Sequence, residues 1–111
     1  MEGPFDYDAD TVDANVEPGR IGNYALGTAG KKRNLGIVGY VGRSDTDLRA
    51  EIKSYIGKRI HPHFKFSYAN SAEEAYLKEC LNFHDFGMEK KGQIHPAKPA
   101  GSRTKCPVCG D

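Results

Sequence analysis

"IGNYALGTAGKKRNLGIVGYV", residues 21–41, is the stretch whose reading decides the fold. Ile21 to Leu26 is a short strand-forming run, residues 27–34 ("GTAGKKRN") make a glycine-rich basic turn, and Leu35 to Val41 is β-branched and aromatic. Together they predict an antiparallel hairpin with a long loop.

Downstream, Ser44 stands three residues before Asp47, and Leu48, Ile52 and Tyr55 or Ile56 follow at helical spacing, which predicts a helix over about 46–56. Pro62 ends it and biases His61 towards extended geometry. "HFKFSY" at 63–68 alternates aromatic with polar residues, the mark of a half-buried strand. Ser71 with Glu74 forms a capping box that opens a second helix, "SAEEAYLKECLNFHDFG", with Gly87 as its stop.

Outward from this middle the signals thin. Residues 1–17 have few large apolar side chains and no clear period, so they read as an acidic arm or an extra edge strand before Pro18-Gly19. From Met88 the chain turns to Lys, Gly, Pro and Arg and ends in "KCPVCGD". Such a tail buries too little to order itself. The expected architecture is an α+β domain over residues 18–86 in the order β-β-α-β-α, a three-stranded antiparallel sheet flanked by two helices, with an N-terminal arm (1–17) and a tail (87–111).

With 111 residues the chain is expected to form one domain. No apolar run is long enough to cross a bilayer and no signal-peptide pattern opens the chain, so the expected location is cytoplasmic, without membrane contact. Residues 1–20 carry a net charge of −5 and residues 21–111 a net of +6. A basic body behind an acidic lead-in suits a polyanion partner, with DNA the leading expectation. An acidic arm that simply solvates itself is the plainer reading of residues 1–17.

"GNY" at 22–24 and "YVG" at 40–42, on the two arms of the hairpin, and "EEAYLKE" in the second helix resemble the motifs of the GIY-YIG nuclease superfamily in the right order over about residues 18–86. The resemblance implies a divalent-metal-dependent endonuclease that hydrolyses DNA phosphodiesters. In it Tyr24 and Tyr40 would lie side by side, a phenol of lowered pKa would help to deprotonate water, and Glu79 would hold Mg²⁺ or Mn²⁺. The family's catalytic arginine position is Glu51 here, which leaves Arg43 and Arg49 as its replacements, and no asparagine follows Asn82. Two other readings stay open: a nucleic-acid-binding module of the same fold without catalysis, and a protein-interaction domain. Aromatic residues in strands are also ordinary core.

A second constellation comes from spacing alone. Cys80 and His84 lie i, i+4 on one helical face, and after 21 intervening residues Cys106 and Cys109 form a CxxC hook. Together they are a Cys3His set for tetrahedral structural zinc, with His95 as an alternative fourth ligand, and zinc binding energy could dock the tail. The alternative is a buried Cys80 and a loose hook. At about 100° per residue, Glu79 points well away from both Cys80 and His84, so it is expected to face a different ligand. Lys31, Lys32 and Arg33 at the hairpin tip, with Lys58 and Arg59, are candidate phosphate contacts or merely a solvated surface. His61 and His63 are expected to face solvent.

Overall fold

The computed structural model describes residues 1–31 and 34–110. Strand β1 (Glu2–Asp6) and helix α1 (Ala9–Asn15) precede the hairpin of β2 (Gly22–Ala29) and β3 (Leu35–Ser44). Helix α2 (Leu48–Ser54), strand β4 (His63–Tyr68), helix α3 (Ala72–Asp85) and a 3-10 turn (Met88–Lys91) follow. The α+β class and the hairpin are as expected, but the sheet has four strands rather than three, in the order β1-β4-β2-β3, with every neighbouring pair antiparallel. The fourth strand is β1, which pairs along β4. No described helix is long and apolar enough to cross a membrane.

The acidic N-terminal segment is built into the domain. Asp8 caps α1 by accepting from the Thr11 amide, and the helix turns Val12 and Val16 inward until neither is more than 1% exposed. They pack with Tyr24, Leu26, Leu48, Ile52, Phe64 and Phe66, so α1 and α2 cover one face of the sheet. Helix α3 covers the other, where Ala25, Val38, Val41, Phe83 and Met88 form a second cluster. Ser71 caps α3 as the capping box requires, accepting from the Glu74 amide at 3.1 Å. For α2 the cap is Asp47, and Ser44 instead accepts from the Asp47 amide at 2.9 Å, so the helix is shorter at both ends than residues 46–56.

One irregularity in the hairpin sets the site. The ladder runs Tyr24 opposite Gly42 and Leu26 opposite Tyr40, then slips so that Gly27 faces Val38. Gly39 is the extra residue of this bulge, and the slip sends Tyr40 and Val38 to opposite faces although they are two apart. The aligned stretch puts Tyr40 on the face that carries Tyr24. Gly42 must be glycine because Tyr24 lies across it: a Cβ there would sit 2.6 Å from the phenol Cζ and oxygen.

Candidate functional site

At the β3 edge the two faces of the sheet meet. Tyr40 and Gly42 come from one face, Arg43 and Glu79 from the other, and Glu51 from α2. With Ser44, Asp45 and Ala97 they line a cavity of about 240 Å³. Tyr24 and Tyr40 have ring centroids 6.1 Å apart, which places the two aromatic residues together as expected. Their expected acidity is corrected, however. Burial, with the nearby Glu51 carboxylate, drives the Tyr24 phenol far above its ordinary range. Burial and a hydrogen bond with Tyr55 hold Tyr40 up to about 12, although the Arg59 guanidinium works against this. Both are neutral phenols at neutral pH, able to hydrogen-bond but not to act as phenolate bases. Tyr24 is wholly buried and donates to Glu51 Oε2 at 2.9 Å, so Glu51 occupies the space beside this tyrosine.

Glu79 reaches the cavity from α3. Arg43 Nη1 donates to its Oε1 at 2.7 Å with both side chains nearly buried, and Arg43 Nε donates to Asp45 Oδ1 at 2.8 Å. Burial raises the Glu79 carboxyl above its ordinary value, and the Arg43 contact opposes that rise. Oε2 is not engaged by Arg43, leaving one oxygen for a hard cation whose remaining shell would be water and substrate oxygen. Arg43 is thus in the cleft. Arg49 is not: its Nε donates to the Val16 carbonyl at 2.6 Å and its Nη2 to the Asp13 carbonyl, so it ties α2 to α1.

Of the candidate phosphate contacts, Lys31 and Lys58 are exposed, and Lys32 and Arg33 lie outside the described residues. Arg59 departs most from a solvated loop cation. Its guanidinium lies over the Tyr40 ring at 3.6 Å and 4.9 Å from the Tyr55 centroid. His61 is half-buried against Gly39 rather than free in solvent, and burial lowers its pKa.

The tail is ordered against the domain. Met88 is fully buried, Lys91 Nζ donates to the Val38 carbonyl at 2.6 Å, and Gln93 bonds both backbone groups of Val41. Beyond Gln93 the chain reaches a metal-ligand cluster: one ligand atom each of His84, His95, Cys106 and Cys109, all within 4.8 Å of one another. Two imidazoles and two thiols at this spacing can hold a metal ion such as zinc. Three of the four belong to the expected set, and the fourth is His95, its alternative fourth ligand. Cys80 is corrected out of this set: it is completely buried beside Tyr76 and Cys106, hydrogen-bonded to both, and burial pushes its thiol up to about 12.

Several details suit a metal. His95 Nδ1 lies 3.0 Å from the Pro96 carbonyl, so the N–H tautomer at Nδ1 leaves Nε2, 3.4 Å from Cys109 Sγ, as the ligand lone pair. His84 Nε2 is buried and without a hydrogen-bond partner among the described residues, the condition that a coordinated ion relieves. Burial opposes ionisation of the Cys106 thiol, but the amides of Cys109 and Val108, the His95 ring and the Cys80 thiol outweigh it and hold it below the ordinary thiol range. A hook that points amide N–H groups at its first sulfur favours the thiolate that a metal needs.

Fold and cluster together define an α+β domain whose C-terminal tail can be tied to α3 by a His2Cys2 metal knot. Compared with known proteins, the chain matches no family model, no curated protein and no solved structure.

Proposed function

We propose that the protein is a divalent-metal-dependent endonuclease of the GIY-YIG type acting on DNA, with structural zinc in the His84, His95, Cys106 and Cys109 cluster. One observation carries the reading. Tyr40 and Glu79, singled out by the motif resemblance, and Arg43, one of two candidate substitutes for its missing arginine, come from two elements and both faces of the sheet to line one polar cavity. In this reading Arg43 neutralises charge on the phosphate, and Tyr40 orients water or a phosphate oxygen as a neutral donor. Mg²⁺ or Mn²⁺ on Glu79 would supply the Lewis acid and the activated water.

Supercoiled plasmid incubated with magnesium or manganese tests the proposal. The expected result is nicking that disappears in Glu79→Ala, and no nicking with either ion would sink it. A second reading is favoured by Glu51, a carboxylate beside Tyr24 where the resemblance implies an arginine. Under that reading the module binds nucleic acid without cutting it, and salt-sensitive retention of DNA without nicking is its signature.

A further inference from the structure

Behind the first cavity lies a second, of about 320 Å³, which shares Tyr40 and Glu79 with it and is otherwise lined by Gly39, Arg59 and residues 91–94 of the tail. We infer that this second cavity is a phosphate subsite read by Arg59 and Lys91, seating a backbone phosphate next to the one held in the first. The inference rests on the nucleic-acid reading above for its ligand and on separate residues for its geometry.

Arg59 is the anchor. The centre of its guanidinium lies 3.6 Å from the Tyr40 ring centroid, and its Nε is buried with no hydrogen-bond partner among the described residues. A planar cation held over an aromatic ring at the wall of a cavity is suited to a tetrahedral oxyanion. Lys91 lines the same cavity. It gives one ammonium hydrogen to the Val38 carbonyl and, with three donors, has others for a ligand. The acid in the lining, Glu79, is already paired with Arg43 at 2.7 Å, so it opposes an incoming anion less than a bare carboxylate would.

The tail wall runs from the last residue of the 3-10 turn towards the metal knot. Gln93 pins it to β3 on one side and His95 enters the cluster two residues later. Lys91 itself is fixed by the turn and by its bond to the Val38 carbonyl.

The test uses the full zinc-loaded chain. In the first arm, inorganic phosphate is titrated against chloride of matched ionic strength while the Arg59 Nε–Hε resonance is followed by NMR, assigned by its loss in Arg59→Lys. A saturable shift with phosphate, weakened in Lys91→Gln, is expected; no saturable shift overturns the subsite. In the second arm, a labelled DNA duplex is bound without added magnesium or manganese across a salt series. Arg59→Gln and Lys91→Gln should each flatten the slope of log affinity against log salt by about one, while Lys98→Gln, outside the cavity, leaves it unchanged. Lys91→Gln keeps the test open if Arg59→Gln fails to fold. Should wild-type protein bind DNA with a slope that neither variant alters, the subsite falls and the nucleic-acid reading stands. If phosphate shifts Arg59 while the wild type does not retain DNA at low salt, the subsite stands and the nucleic-acid reading falls.

Discussion

Gln93 gives both ends of its side-chain amide to one residue of β3: Nε2 donates to the Val41 carbonyl at 2.6 Å, and Oε1 accepts from the Val41 N–H at 3.2 Å. β3 is an edge strand, and an edge leaves backbone groups that must find partners. Here the partners are tail side chains, with Lys91 covering Val38 in the same way. The tail is thus a cover for the sheet edge at the place where the cleft opens, although it has few large apolar side chains.

Gln93→Ala removes both bonds and leaves partly buried backbone groups of Val41 without them. The expected cost is about 1–3 kcal/mol in urea unfolding. Because the loss is local, the Val41 amide should also exchange faster with deuterium than the Ala25 amide opposite it. Unchanged exchange at Val41 would mean that the amide pairing does not protect the edge.

Val12→Ala distinguishes a built-in N-terminus from a solvated arm. Val12 is 0% exposed in the core beside Ile52 and Phe64, so truncation should cost about 1.5–3 kcal/mol. A loss near zero would place α1 outside the folded unit.

Tyr40→Phe reports on the raised phenol. A tyrosine whose folded pKa is about 12 rather than 10 holds its proton longer when folded, so its contribution to stability is complete below pH 10 and lost as pH rises towards 12. Between these limits wild type should lose stability more steeply than Tyr40→Phe in chemical unfolding, and absorbance at alkaline pH should show one late-titrating phenol fewer in the variant. Parallel stability curves would contradict the shift. The same pKa implies that nicking, if observed, shows no phenol ionisation limb near neutral pH.

Gly42→Ala probes the close approach at the centre of the hairpin. The new methyl group would press on the Tyr24 ring, which is wholly buried and fixed to Glu51 at 2.9 Å. Overpacking of this kind costs about 1–3 kcal/mol. The matched change Gly19→Ala meets no atom within 4 Å, and although its φ of +72° brings backbone strain, it should leave the tyrosine environment seen by near-UV circular dichroism unaltered. Equal spectral changes in both variants would rule out the ring contact as the cause.

What the sequence made legible follows from how local each signal is. Ser71 and Glu74 announce α3 through a contact three residues long, and the alternation of Phe64, Phe66 and Tyr68 announces β4 without help from the rest of the chain. Helix α1 is seven residues long with one fully enclosed apolar position, too short for a period to emerge; its Val12 and Val16 gain meaning only beside Leu48 and Phe64. β1 is likewise defined by its partner β4. Within the site, helix spacing correctly separates Glu79 from His84, because both stand on one rigid element. The orientation of Arg49 and the stacking of Arg59 on Tyr40 depend on segments far away in sequence, and no local pattern encodes them.

The fourth metal ligand shows the same limit and yields the most decisive prediction. Cys80 and His84 share a helical face, but which of Cys80 and His95 meets the CxxC hook depends on the path of the tail between residues 88 and 105. Its Gln93 anchor brings His95 to Cys109 at 3.4 Å, while Cys80 packs beneath Cys106 in an apolar layer with Tyr76. Protein purified without chelator should therefore carry one zinc per chain by elemental analysis and retain it in Cys80→Ala. His84→Ala, His95→Ala, Cys106→Ser and Cys109→Ser should each lower zinc affinity sharply, since removing a ligand opens the tetrahedral shell. Zinc should also leave as pH falls, because protons compete for imidazole and thiolate alike. The decisive pair is Cys80→Ala against His95→Ala: zinc lost from the first and kept by the second would put Cys80 in the shell and His95 outside it.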